Sequence, residues 1–251
     1  MLGAGFYNMD CMDALKEYPD GYFDLAIVDP PYGDGNSGGG YCRFTPGGWF
    51  SRYRQAAKTE VENDGTTESI PEEEHRKWID RRGGTWAGKY GKKIVGWDTA
   101  PGEDYFRELF RVSKNQIIWG GNYFTLPPTR CFLIWRKLTI NENFSMAMCE
   151  YAWTSFSDNA KVFECAPQGT ASDKRFHPTQ KPVKLYSWIL SRYAKEGDRI
   201  LDTHVGSASS LIACHRAGLE YTGFEIDPDY YTTAKERLDA ERNQINMFEL
   251  L

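Results

Sequence analysis

Apolar positions along this chain fall into two alternating patterns. Phe23-Asp-Leu-Ala-Ile-Val28 is a near-continuous apolar run halted at Asp29-Pro-Pro31, as expected of a parallel strand buried on both faces and stopped by proline. From Pro101 to Val112 the period lengthens: Tyr105, Phe106, Leu109 and Val112 recur at helical spacing behind an acidic first turn, which predicts a helix. Gln116-Ile-Ile-Trp119, Cys131-Phe-Leu-Ile-Trp135 and Glu150-Tyr-Ala-Trp-Thr154 read as strands, and Phe6-Tyr-Asn-Met9 as a short one near the N-terminus. The alternation then repeats. Pro182 to Tyr193 reads as a helix opened by proline, Arg199 to Asp202 as a strand, and Ser207 to Ala217 as a helix ended by Gly218. Tyr221 to Ile226 is the next strand and Pro228 to Asn243 a last helix. Strands alternating with amphipathic helices predict an α/β fold, a mostly parallel sheet with helices on both faces.

Between Asp34 and Ile94 neither pattern holds. Asp34-Gly-Asn-Ser-Gly-Gly-Gly40 opens the stretch, Gly88-Lys-Tyr-Gly-Lys-Lys93 closes it, and a polar run from Lys58 to Lys77 fills its centre. Glycine-rich ends permit hinge motion, so residues 34–94 read as an insertion, a solvated excursion or a lid, within one domain spanning 1–251. A chain of 251 residues with 41% hydrophobic content can bury roughly 70% of its unfolded surface and needs no staples. No stretch approaches the ~20 apolar residues of a membrane span, and no signal peptide is visible, so the expected location is the cytosol. The six cysteines are dispersed and read as reduced thiols. The four histidines pair neither with them nor with each other at ligand spacing, so no metal is expected. A net charge of -5 argues, taken as a sum, against a polyanionic partner.

Candidate chemistry gathers where strands end. In parallel sheets ligands bind beyond the carboxyl ends of the strands, and Asp29, Asp202 and Glu225 each end a predicted strand, with Asp10 just beyond another. Asp29-Pro30-Pro31-Tyr32 is the sharpest feature, because tandem prolines hold the backbone still while an acid and an aromatic project together. Two more follow: His177-Pro-Thr-Gln-Lys-Pro182, leading into a helix, and Asp202-Thr-His-Val-Gly-Ser-Ala-Ser-Ser210, a strand turning through glycine into a helix, with Phe224-Glu-Ile-Asp-Pro228 downstream. The turn lacks both the three-glycine dinucleotide spacing and a phosphate-loop lysine, which points to a cofactor without phosphate.

These motifs, in this order, resemble the beta class of amino DNA methyltransferases, which use S-adenosylmethionine. The resemblance covers most of the chain outside residues 34–94 and implies an open seven-stranded sheet with one antiparallel edge strand. It implies that Asp10 and Cys11 lie beside the cofactor adenine, that Glu225 binds the ribose hydroxyls, and that Asp202, Gly206 and Ser207 form the cofactor turn. Thr179 and Lys181 would lie near the cofactor carboxylate and Asp202 near its ammonium or an adjoining water, while a plain turn acid at Asp10 and a solvated charge at Lys181 are the alternatives. The chain departs from the family where Thr203 and His204 replace a proline and an aromatic and Ala208 replaces a second glycine. His204 suits a packing surface beside the cofactor better than a general base.

An exocyclic amine is a poor nucleophile because its lone pair is delocalised into the ring. The Asp29 carboxylate and the Pro30 carbonyl can each accept a hydrogen bond from one of its N–H groups and favour the pyramidal form, while Pro31 stiffens the pair and Tyr32 stacks on the base. An acid at the first position of the motif favours adenine N6 by family tendency. The expected activity is therefore adenine methylation of double-stranded DNA by base flipping. The alternatives are an N4-cytosine enzyme and a catalytically silent DNA-binding subunit. DNA contacts are expected from the insertion, at Arg43, Arg52, Arg54, Arg81, Arg82, Lys92 and Lys93, interleaved with aromatics such as Tyr53 and Trp86. Because one compact domain covers few base pairs, a homodimer is expected.

Overall fold

The computed structural model describes residues 1–32, 99–142, 147–167 and 175–248. The chain divides into two units, Met1–Pro31 with Pro101–Leu251, and Tyr32–Ala100. The expected insertion and its seven candidate DNA-binding residues lie outside the described residues.

The larger unit is a mixed eight-stranded sheet. Its strands are β1 (Gly5–Asn8), β2 (Phe23–Val28), β3 (Ser113–Trp119), β4 (Phe132–Lys137), β5 (Cys149–Thr154), β6 (Lys161–Cys165), β7 (Arg199–Asp202) and β8 (Glu220–Glu225), in the order β1-β8-β7-β2-β3-β5-β4-β6. Its helices are α1 (Cys11–Leu15), α2 (Glu103–Val112), α3 (Val183–Tyr193), α4 (Ser209–Arg216) and α5 (Pro228–Phe248). The two-residue period of β2 sorts the core. Leu25 and Ile27 point into one apolar layer with Leu185 and Ile189 of α3 and Leu211 and Ile212 of α4. Ala26 and Val28 point into a second layer with Leu15 of α1 and Leu109 and Val112 of α2. Helices therefore cover both faces, as the continuous apolar run in β2 requires. Each fully buried Leu or Ile contributes about 1.5–3 kcal/mol, so these two layers hold the sheet edge in place.

Three expectations change. The sheet has eight strands, and its antiparallel strand lies inside it: β5 runs against both β3 and β4, while β6 continues the sheet parallel to β4. β6 escaped the sequence pattern because Lys-Val-Phe-Glu-Cys is half polar, with only partial burial. The helix expected from Ser207 begins at Ser209, because Ala208 takes a left-handed backbone at its N-cap. At the other end of α4, Gly218 at φ +66° lets Leu219 N–H donate to Cys214 O at 3.0 Å, a glycine stop.

Gly223, inside β8, has no room for a side chain: a Cβ there would stand 2.7 Å from Val205 Cγ2 and 2.9 Å from Leu211 Cδ1. Gly223→Ala is expected to lower the unfolding free energy by about 1–3 kcal/mol through overpacking, read as a lower urea midpoint. An unchanged midpoint would refute this account of the β8–α4 packing.

Candidate active site

Strands β1, β8, β7, β2 and β3 are mutually parallel, so their last residues line one edge. Asn8, Glu225, Asp202 and Asp29 follow one another there. Asn8 Nδ2 donates to Glu225 O at 2.7 Å and to Ile226 O at 3.2 Å, tying the ends of β1 and β8 together.

The turn after β7 is built around two acids. Asp202 accepts from His204 N–H at 3.0 Å and from the Ser210 hydroxyl. Burial pushes its carboxyl up to about 7, against the pull of those hydrogen bonds and with the help of the nearby Asp29 and Glu225. Glu225 accepts from Gly206 N–H at 2.8 Å and from Asp227 N–H at 2.9 Å, one to each oxygen. Burial raises its carboxyl too, while those N–H groups oppose the shift. Gly206 sits at φ +55°, and a Cβ on it would meet His177 Cε1 at 3.2 Å, so the backbone at this turn is bare and closely packed. Thr179 donates its N–H to His177 Nδ1 at 3.4 Å, with its hydroxyl 3.2 Å from the same nitrogen. Burial, with Arg175 and Lys181 adding to it, lowers that imidazole to about 3 and keeps it neutral.

The residues that depart from the family pattern form a small network. Tyr105 Oη lies 2.6 Å from Thr203 Oγ1, which lies 2.9 Å from His204 Nδ1, and the Tyr105 and His204 rings meet edge to face at 5.4 Å. Burial lowers His204 to about 4, partly offset by Asp10, so it is a neutral ring engaged through Nδ1. Ser207 Oγ lies 3.0 Å from Ser209 Oγ. Asp10 caps α1, accepting from Met12 N–H at 2.9 Å, and Cys11 is the first residue of that helix. Burial, then Asp10, pushes the Cys11 thiol up to about 12, which makes it unfit as a nucleophile.

Asp29 follows β2 directly, before the buried Pro30. Its Oδ2 accepts from Lys181 Nζ. Lys181 is 3% exposed, so it is not a solvated charge, and its Nζ also lies 3.1 Å from Glu150 Oε2. Burial disfavours the ammonium, yet Asp29 and Glu150 hold its pKa above the ordinary 10.5. Burial likewise opposes ionisation of Glu150, but Lys181 and Lys137 bring its carboxyl down to about 2. Thus the lysine that the sequence motif associates with a cofactor carboxylate is found against the candidate catalytic acid. Tyr32 opens the second unit. Sequence reasoning missed Glu150, Lys137 and Tyr105; the first two carried a signal, a charge at the start or end of an otherwise apolar strand. Among the described residues no group of His, Cys, Asp and Glu is placed to hold a metal ion.

What this edge can do is bind a polar, partly cationic ligand on the Asp202–Glu225 side and present a fixed carboxylate beside it. The chain matches the model of the N6/N4 methyltransferase family, described as DNA methylase, over residues 55–236, and it belongs to that family. The Type II methyltransferase M2.DpnII of Streptococcus pneumoniae is 28% identical over 260 residues, spanning 95% of this chain and 90% of that protein. The Type II methyltransferase M2.LlaDCHI of Lactococcus lactis subsp. cremoris is 26% identical over 253 residues, spanning 92% and 88%. Among solved structures, the M1.HpyAVI–SAM complex aligns with a TM-score of 0.50 at 17% identity, covering 93% of this chain and 98% of that one. The cytosine-N4-specific PvuII DNA methyltransferase aligns with 0.53 at 11%, covering 98% and 92%. The two structures share the fold with this chain, a Rossmann-like α/β methyltransferase fold.

Glu150, held at about 2, contributes stability that is present above its ordinary 4.5 and lost as pH falls through 2; Lys181, raised above 10.5, contributes below 10.5. Their pairing therefore stabilises the fold between 4.5 and 10.5. Lys181→Met leaves two acids without their shared cation and is expected to cost about 2–4 kcal/mol at about pH 8, and less at about pH 4, where the acids take up protons. Denaturant titrations at both pH values check this; an equal deficit at the two would count against the ion pair as its source.

Proposed function

We propose that this DNA methylase moves a methyl group from S-adenosylmethionine to the N6 amine of adenine in double-stranded DNA, in the cytosol. The observation that carries the reading is Asp29, a carboxylate fixed by Lys181 at the same sheet edge as Asp202, Gly206 and Glu225. The described residues fit such a cofactor. Gly206 offers bare backbone, and each Glu225 oxygen, after one N–H bond, keeps a lone pair able to accept from a ribose hydroxyl. Asp202 is buried and close to neutral, a place where a ligand ammonium would favour the ionised form. Asp10, Cys11, Thr179 and Ser207 complete this side, with His204 as a flat neutral face.

When bound, S-adenosylmethionine supplies an electrophilic methyl on a sulfonium. The chain's part is orientation. Asp29 and the Pro30 carbonyl each accept a hydrogen bond from one N–H of the amine, turning its lone pair out of the ring. The Lys181 ammonium beside Asp29 favours the ionised carboxylate, the stronger acceptor. Tyr32, next to Pro31 in the chain, stacks on the extruded base, an interaction of about 1–3 kcal/mol. That helps offset the few kcal/mol needed to flip the nucleotide out. Arg43, Arg52, Arg54, Arg81, Arg82, Lys92 and Lys93 are the phosphate contacts of this reading, and a second subunit helps to hold the duplex. A cytosine N4 target is the second reading, favoured by the fold shared with a cytosine-N4-specific enzyme; the acid at position 29 supports adenine.

Asp29→Ala is expected to reduce methyl transfer by at least about a hundredfold, since it removes an acceptor aimed at the reacting amine, while S-adenosylmethionine still binds. Mass analysis of nucleosides from treated DNA reads both the loss and the base; N4-methylcytosine would decide for the second reading, and undiminished turnover would refute the role of Asp29. Gly206→Ala is expected to weaken S-adenosylmethionine binding by about tenfold or more, measured by calorimetry, because a methyl group fills the bare turn and strains its left-handed backbone. Unchanged affinity would place the cofactor elsewhere.

A further inference from the structure

Lys181 does not end the chain of charges that begins at Asp29. Glu150, its second partner, gives its other oxygen to Lys137, with Nζ to Oε1 at 2.6 Å. Charges alternate from Asp29 through Lys181 and Glu150 to Lys137 and sum to zero. We propose that Glu150 and Lys137 are positioning residues for methyl transfer, acting through Lys181 to hold Asp29 in place; the inference rests on the function proposed above.

The topology explains how they reach the site. Lys137 is the last residue of β4, while Glu150 is near the start of β5, and β5 alone runs against its neighbours. Reversal of β5 therefore brings its N-terminal end to the edge where the other strands end. Across that edge the order β2, β3, β5, β4 reads Asp29, Trp119, Glu150, Lys137. Two tryptophans lie under the row: Lys181 Nζ is 5.3 Å from the Trp119 ring centre and Lys137 Nζ is 5.2 Å from that of Trp135. Both rings are fully buried, and Trp135 is pinned by its Nε1–H, which donates to Cys165 O at 3.1 Å. Both lysines are themselves buried, at 3% and 7% side-chain exposure.

Stability alone is a poor reason for such a row, because well-packed apolar residues of similar size serve a core as well or better. Orientation is a better one. A lysine is a point charge on a flexible stem, and a single carboxylate leaves it several ways to make its bond. Glu150, as a second partner of Nζ, reduces that freedom, and Lys137 holds Glu150 in turn. An acceptor displaced by about 1 Å can cost a hundredfold in rate, so restraint of this kind is felt in the chemical step.

The test is single-turnover methylation of plasmid DNA from a host lacking amino methyltransferases, with enzyme and labelled S-adenosylmethionine in excess. Glu150→Gln and Lys137→Met are each expected to slow the step by about tenfold to a hundredfold while dissociation constants for cofactor and DNA stay within about threefold. The double variant Glu150→Gln/Lys137→Met removes one charge of each sign; it is expected to regain the thermal midpoint that Glu150→Gln loses and to remain slow. Should Glu150→Gln fail to fold, Lys137→Met and the double variant carry the same test. A double variant that regains its rate along with its stability, or folded single variants as fast as wild type, would overturn the inference alone. Wild-type protein that transfers no methyl group would overturn the proposed function and this inference with it.

Discussion

A carboxylate removed from water must find a cation, a set of N–H groups or a proton, and the sheet edge of this protein uses all three within a few residues. Asp29 and Glu150 share the ammonium of Lys181. Glu225 is met by the backbone N–H groups of Gly206 and Asp227. Among the described residues Asp202 is met by one N–H and one hydroxyl, and burial leaves its carboxyl at about 7. These solutions divide the edge by function. Where a cation is built in, the charged form of the acid is favoured, the form suited to accept hydrogen bonds from a neutral amine. Where none is built in, the acids await a ligand that brings positive charge or hydroxyl donors of its own. A sulfonium cofactor with an ammonium and a ribose has both.

The backbone makes this division possible. Parallel pairing places strand ends side by side, so residues far apart in sequence, such as Asn8 and Glu225 or Asp202 and Gly223, become register partners. A wholly parallel sheet would offer only residues that end strands. The reversed β5 adds one that begins a strand, and it does so beside β3, close enough for Glu150 to meet Lys181 from the loop before α3. Had β5 been the edge strand, as the family resemblance implied, it would have paired on one side only. In its internal place it joins β3 to β4 and carries the row of charges across both.

Much of this was legible in the sequence because the relevant signals were local. The apolar run of β2 and its stop at Asp29-Pro30-Pro31 fall where expected, and so do α3 behind Pro182 and β7 through Asp202. What escaped was relational. Nothing near Lys181 announces that its partners stand at 29 and 150, because strand order, not spacing, brings them together. Glu150 looked like the polar first residue of a strand, and Lys137 lay beyond the end of the strand expected at Cys131–Trp135, yet Lys137 is 7% exposed in its side chain. The short helix α1 was hidden for a different reason: five residues give too little period to see, and its cap, Asp10, was read for its acidity and not for its geometry.

The altered cofactor turn shows how such a site tolerates unfavourable residues. Ala208 occupies φ +61°, a conformation that costs an L-residue about 1–2 kcal/mol and would be free of that cost in glycine. It persists because its neighbours over-determine it. Its N–H donates to Val205 O at 3.2 Å, its carbonyl accepts from Ile212 N–H at 2.9 Å, and its fully buried methyl group returns about 0.8 kcal/mol of apolar burial. Thr203 and His204 are supported in the same way by the hydroxyl of Tyr105, a residue of α2 on the opposite layer. The strain therefore sits at the start of α4, outside the two groups that the proposed cofactor site relies on, the bare backbone of Gly206 and the carboxylate of Glu225. A departure from the common motif can be absorbed there without touching either, which is why the altered turn is compatible with a working cofactor site.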